Sequence, residues 1–151
     1  MADDQAAARN DAIRCLARRE YGVWELRRKL RQKGHHGDLL QSVLDRLEKD
    51  GMLSDQRYAE ARANSLKNRG YGPLHIRMEL REKHIDDSVA EAALAQPAGY
   101  WEQLAVTVRE KKFGPGIPGD FRDRARQMRF LQYRGFSREQ IERAMNNDTI
   151  E

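Results

Sequence analysis

YGVWELRRKLRQKG at residues 21–34 and YGPLHIRMELREKH at residues 71–84 are two copies of one sequence pattern. Equivalent positions differ by 50 in residue number (71 − 21) and share a Tyr-Gly pair, two apolar residues four positions apart, and an arginine after each apolar residue. A fainter third copy comprises Leu131, Arg134, Phe136, Ile141 and Met145. Short tandem repeats bury their apolar faces against their neighbours and usually build a binding surface rather than a closed pocket. The repeats therefore direct the search for function to a surface.

Composition indicates small helical modules that support one another. In a chain of 151 residues, three repeat units would each hold about forty to fifty residues, which is near the lower limit for a self-sufficient core. With 39% hydrophobic and 34% charged residues, the apolar content suits narrow helical stripes better than a thick buried sheet.

Cap and turn signals divide nearly the whole chain into about nine helices, and no alternating β-type segments lie between them. Asp38 with Gln41, and Ser137 with Gln140, have the spacing of a capping box. Pro73 is expected in the first turn of the fifth helix, where its missing N–H costs no hydrogen bond. The predicted fold class is all-α, an elongated tandem array of three-helix modules.

The first helix is expected from about Ala7 to Arg19, with Ile13, Leu16 and Ala17 facing inward and Cys15 nearly opposite. The predicted domains are an N-terminal helical extension at residues 1–12, a first module at 13–53, a second at 54–97, and a third at 98–151 with a short C-terminal tail. In the third copy, the eighth and ninth helices match the first and second helices of each earlier copy, so the seventh helix precedes the matched pair. Two alternatives remain, a rearranged triplet or a truncated copy behind an extra linking helix.

Charge is unevenly distributed along the chain, whose net charge is +4. Between Arg18 and Lys33, seven basic residues face only Glu20 and Glu25, and the stretch from 109 to 143 is similarly basic. Such clustering favours a polyanionic or acidic partner, although a solvated face is the simpler alternative.

A helical wheel locates the candidate binding residues. In each of the first two copies, a pair of arginines one turn apart lies beside an apolar residue. In the third copy the basic stripe lies on the eighth helix instead. The candidates are Trp24, Arg27, Arg28, Arg31, Arg77, Arg81, Arg122, Arg126 and Arg129. Their alternative roles are packing against the next module for the tryptophan and structural salt bridges for the arginines.

Catalytic, metal and cofactor sites are not expected. His35 and His36 are adjacent and Cys15 is far from both in sequence, so the spacing of a zinc site is missing. No nucleophile, paired carboxylates or phosphate-binding glycine loop suggests an enzyme. The lone cysteine excludes an intramolecular disulfide, and no signal peptide or membrane span is visible, so a cytoplasmic location is expected.

An ordered series of motifs extends over nearly the full length, from about Ile13 to Met145. The motifs are Arg19-Glu20-Tyr21, Glu25-Leu26, Leu30, Lys33-Gly34, Val43-Leu44, Leu47, Gly51, Asp55-Gln56-Arg57-Tyr58-Ala59-Glu60, Arg69-Gly70-Tyr71-Gly72-Pro73, Ile76, Leu80, Phe130-Leu131, Arg134-Gly135-Phe136 and Ile141. Together they resemble the RecX family of regulatory proteins.

The resemblance implies a bacterial modulator of RecA that acts in DNA recombination, repair and the SOS response. Such a protein would lie, as a monomer, in the helical groove of the RecA filament on single-stranded DNA. There it would inhibit or modulate the recombinase, ATPase and coprotease activities without catalysis of its own. The alternative is a non-specific DNA-binding protein that uses helix-turn-helix-like modules.

Overall fold

The computed structural model describes residues 2–146, and within that range it contains nine helices and no strand. The helices are α1 (Ala2–Arg18), α2 (Val23–Gln32), α3 (Gly37–Lys49), α4 (Asp55–Asn68), α5 (Pro73–Glu82), α6 (Asp87–Leu94), α7 (Tyr100–Phe113), α8 (Phe121–Tyr133) and α9 (Arg138–Ala144). The all-α prediction is confirmed.

The chain forms two compact units. The first comprises Met1–Arg62 and Leu80–Ala93, and the second comprises Ala63–Glu79 and Leu94–Glu151. The three boundaries between the units fall inside helices, within α4, α5 and α6. The four predicted domain ranges stay a prediction.

In the first unit, α1, α2 and α3 contact one another in all three pairs and enclose an apolar core. The core centres on fully buried leucines of α2 and α3: Leu26, Leu30, Leu44 and Leu47. They recur at the three- and four-residue spacing of one helical face, which explains why these short helices are stable only when packed together.

The buried face of α1 differs from the prediction. It consists of small residues about one turn apart, namely Ala8, Ala12 and Cys15. Leu16 is only partly buried and Ala17 is exposed, so the predicted inward set and the outward position of Cys15 were wrong. The helix also begins at Ala2, which makes the predicted N-terminal extension continuous with the first module's helix. Small side chains let α1 approach the core closely, and this close packing outweighs the preference for the larger apolar residues.

Local start signals were mostly read correctly. Ser137 and Gln140 form the predicted capping box, and α5 begins at Pro73. The Asp38–Gln41 box was wrong, because α3 begins two residues earlier than expected, with His36 at its N-cap and no side-chain cap bond. Asp38 lies instead in the first turn, where its charge still favours the helix dipole.

In the second unit, α7 contacts both α8 and α9, and α8 contacts α9. The large buried residues of this core include Leu131, Phe136, Ile141 and Met145. Because α7 packs on both partners, it belongs to the third triplet and is not an extra linking helix. The third module is therefore a rearranged triplet.

Each repeated Tyr-Gly pair lies where another segment approaches the backbone closely. The amide of Gly72 donates to the carbonyl of Arg134 at 2.8 Å, and the amide of Leu74 donates to that of Gly135 at 2.9 Å. A Cβ on Gly72 would lie 2.5 Å from the Gly135 carbonyl oxygen. Gly135 itself has φ +95°, which favours glycine. At the first copy, Gly22 is buried and a Cβ there would lie 3.3 Å from Asp55 Oδ1.

We predict that Gly72→Ala lowers the free energy of unfolding by roughly 3 kcal/mol or more, because the added methyl group meets backbone atoms that cannot rotate away. Gly119→Ala is the matched control. No atom lies within 4 Å of its added Cβ, so its effect should stay within about 1 kcal/mol. Urea unfolding followed by circular dichroism measures both, and equal stabilities would contradict the close-approach argument.

Candidate partner-binding surface

The sequence of α2 both forms the helix and presents its basic face. Glu25 in the first turn and Arg31 in the last turn agree with the helix dipole. Leu26 and Leu30 are fully buried and fix which side faces the core. Gly34, with φ +98°, follows the end of the helix. Burial of the leucine stripe turns the arginines towards solvent.

Four of the predicted binding residues line one shallow depression of about 200 Å³: Trp24, Arg27, Arg28 and Arg31. Arg28 and Arg31 are exposed, and the Arg28 guanidinium lies 5.5 Å from the centre of the Trp24 ring. Arg27 is partly buried and donates to Gln41 Oε1 at 2.6 Å. We call this depression the α2 surface.

The positive charge of the α2 surface is not cancelled by the acid on its own helix. Glu25 accepts two bonds of 3.0 Å from Arg19 and also lies 3.6 Å from Lys83 Nζ. Among residues 2–146, neither Arg28 nor Arg31 is paired with a carboxylate. An anionic partner would therefore meet uncompensated guanidinium groups, which bind carboxylates and phosphates in a forked geometry.

Trp24 has both a packing contact and an accessible face. Its ring stacks on the imidazole of His84, with centroids 4.3 Å apart and an interplanar angle of 10°. His84 has φ +57° and is itself exposed, so the stack lies at the surface of the first unit. The remainder of the ring lines the depression. The packing and binding interpretations of Trp24 are thus compatible.

On α5, the two predicted arginines differ in environment. Arg77 is partly buried, whereas Arg81 is exposed and lies 3.6 Å from Asp87. Leu74 and Met78 on the same helix are 46% and 52% exposed, so α5 also presents apolar side chains to solvent.

The predicted stripe on α8 is present. Arg122, Arg126, Arg129 and Tyr133 are all exposed. Arg126 lies 3.3 Å from Asp123, and its guanidinium is 5.1 Å from the centre of the Phe113 ring. A weak exposed pair of this kind leaves the arginine available to a partner.

One basic residue of the 109–143 stretch does not contribute to the surface. Arg109 is fully buried, and its Nη1 donates to the carbonyl of Gly116 at 2.7 Å. The hydrogen bond joins α7 to the loop before α8. No sequence signal separates this arginine from its exposed neighbours, because its burial depends on a loop that returns to it.

His35 has a structural role. Its Nε2 lies 2.7 Å from Asp11 Oδ2, and this hydrogen bond lowers the pKa of the Asp11 carboxyl from its ordinary value. Within residues 2–146, no group of three or more His, Cys, Asp or Glu side chains is placed to hold a metal ion. No helix in the same range is long and apolar enough to cross a bilayer.

Two mutually packed helical triplets, α1–α3 and α7–α9, present exposed arginines on α2 and α8. With the sequence repeat they define an all-α tandem-repeat protein. Family models match the chain in the same order: the first three-helix domain of RecX at residues 8–47, the second at 54–94 and the third at 101–145. The chain belongs to the RecX family of regulatory proteins.

Individual relatives agree over nearly the whole chain. Regulatory protein RecX of Pseudomonas fluorescens (strain Pf-5) is 40% identical over 144 residues, which cover 95% of this chain and 93% of that protein. The Halorhodospira halophila protein of the same name is 41% identical over 138 residues, covering 91% and 86%. The crystal structure of RecX from Lactobacillus salivarius superposes with a TM-score of 0.83 at 26% identity and covers 97% of both chains.

We predict that His84→Ala exposes the Trp24 ring. In a Trp101→Phe background only Trp24 emits, and loss of the stacked imidazole should increase the acrylamide quenching constant of its fluorescence. His36→Ala, which removes an exposed imidazole without a ring contact, should leave the constant unchanged. Equal quenching in the background protein and the His84→Ala variant would mean that the stack does not cover the ring.

Proposed function

We propose that this protein binds the RecA filament on single-stranded DNA, in its helical groove, and inhibits its recombinase, ATPase and coprotease activities. Membership of the RecX family over nearly the full length is the observation that carries the proposal. In this proposal the interaction takes place in the cytoplasm. The protein acts as a monomer, and it acts by binding rather than by catalysis.

The α2 surface is the best-defined contact for such a partner. It combines uncompensated arginines with an aromatic ring, and tryptophan and arginine dominate the binding energy of protein interfaces. Arg81 of α5 and the arginines of the α8 stripe supply further exposed positive charge. These residues support an acidic or phosphate-bearing partner surface.

Repetition suggests how weak contacts become effective. A filament presents the same surface at every subunit, so several basic patches on one chain could bind successive subunits or a subunit and its DNA. After the first contact, each further contact forms at a high effective concentration. A chain held in this way would oppose the subunit rearrangements that accompany nucleotide hydrolysis and strand exchange.

We predict that Arg27→Ala with Arg31→Ala weakens inhibition of the DNA-dependent ATPase activity of RecA while thermal stability stays nearly unchanged. Arg31 is exposed, and exposed helix positions typically contribute within about 0.5 kcal/mol to folding. Loss of the hydrogen bond from Arg27 to Gln41 adds about 1 kcal/mol at most. Leu30→Ala should have the reverse pattern, with a loss of roughly 2–5 kcal/mol of stability through a core cavity.

Arg18→Ala with Lys49→Ala is the charge-matched control, because both residues are exposed and lie outside the α2 surface. It should retain inhibition. If the Arg27 and Arg31 variant inhibits as strongly as the unchanged protein with its fold intact, the α2 surface is not part of the interaction.

A second prediction concerns ionic strength. Inhibition of RecA should weaken as salt rises, because charges at exposed arginines are screened over about 8–10 Å near physiological ionic strength. Steady-state ATP hydrolysis by RecA, titrated with this protein at several salt concentrations that all keep the filament assembled, measures the effect. Constant inhibition across the series would show that the basic surfaces do not contribute.

A further inference from the structure

The second unit contains a concave basic site that the sequence patterns did not indicate. It has a volume of about 390 Å³ and lies between the end of α4, one face of α7 and the end of α8. Its lining includes five cationic side chains and one aromatic ring: Lys67, Arg69, Lys111, Lys112, Arg134 and Phe130. We call this site the basic pocket.

The positive charges of the basic pocket are not neutralised by acids. No Asp or Glu is among the residues that line it. Within the described part of the chain, none of its five cations lies within 4.0 Å of a carboxylate oxygen. Burial lowers the pKa of the Lys67 ammonium group, which is the direction expected for a cation without a compensating acid.

Ring faces and a carbonyl group hold the cations in place instead. Arg134 Nη1 donates to the carbonyl of Arg69 at 2.7 Å, and its guanidinium lies 5.1 Å from the centre of the Phe130 ring. Lys112 Nζ lies 5.4 Å from the same ring, and Lys67 Nζ lies 5.5 Å from the ring of Tyr100. Such contacts orient a cation without cancelling its charge.

A purely structural role does not account for this concentration of charge. Basic residues at the C-terminal end of a helix offset a dipole equivalent to roughly half a negative charge. The ends of three helices would therefore balance only about one and a half of the five positive charges. More than three charges remain for a ligand.

We propose that the basic pocket binds the phosphate groups of a nucleotide or of a single-stranded nucleic acid. A nucleic-acid strand carries one negative charge per nucleotide, so neighbouring phosphates match several cations in one concavity. The partly buried Phe130 ring beside them offers a face on which a base can stack. The proposal concerns a different unit from the α2 surface and does not depend on RecA.

The test measures binding of the full chain to a fluorescein-labelled oligothymidylate by anisotropy, without RecA, over a series of salt concentrations. Lys111→Gln with Lys112→Gln removes two exposed cations of the pocket. Each phosphate contact on a single strand contributes about 0.7 to the slope of log K against log salt, so the slope should fall by about 1.4 and the affinity at low salt should drop. Arg18→Gln with Lys49→Gln, which removes the same charge from the first unit, should leave the slope unchanged.

Competition distinguishes the two sources of phosphate. Displacement of the probe by ATP or tripolyphosphate would show that the pocket also accepts free nucleotides, and displacement only by an unlabelled strand would assign it to the polynucleotide.

An unchanged slope in the pocket variant, or an equal loss in the control, would overturn the proposal. The proposal would also be overturned if poly-glutamate displaced the probe as effectively, per unit of charge, as the unlabelled strand does. RecA is absent from this assay, so a failure here is separable from a failure of RecA binding.

Discussion

The approach of backbone to backbone at the Tyr-Gly pair is the constraint on which the second unit depends. At Gly72 the amide reaches the carbonyl of Arg134, and the space that a side chain would fill is occupied by Gly135. The two glycines lie in different modules of the sequence and each permits the position of the other. The repeated Tyr-Gly pair is therefore needed for close packing, while the residues that follow it remain available for binding.

Burial and charge are divided cleanly along the repeated helix. The apolar positions of α2 are fully buried, and the arginines that follow them in sequence lie at the surface beside Trp24. This arrangement follows from the 3.6-residue period alone, because residues adjacent in a helix point about 100° apart. A single repeated pattern thus specifies both the core and the basic face, which is why mutations can separate stability from binding.

The sequence was informative wherever the determining contacts were local. The Ser137–Gln140 box and the clustering of Trp24 with three arginines each depend on residues within one helix or its cap. The buried face of α1 was misjudged, because hydrophobicity ranks leucine above alanine whereas close helix packing favours small residues.

The basic pocket and the burial of Arg109 could not be predicted from the sequence for a different reason. The pocket residues come from segments separated by tens of positions, and Arg109 is covered by a loop that returns to it. Periodicity within a helix does not predict contacts between segments that are distant in sequence. Cap signals such as the Ser137–Gln140 box predict where a helix begins, but not which helix ends meet.

The small-residue face of α1 determines where this chain can tolerate change. Ala8 and Ala12 are fully buried and Cys15 nearly so, which means that a larger side chain at any of them would push α1 away from the core. The exposed arginines have no such steric limit. A substitution at these arginines can therefore change binding without disturbing the scaffold, whereas a larger residue on the small-residue face of α1 changes the scaffold itself.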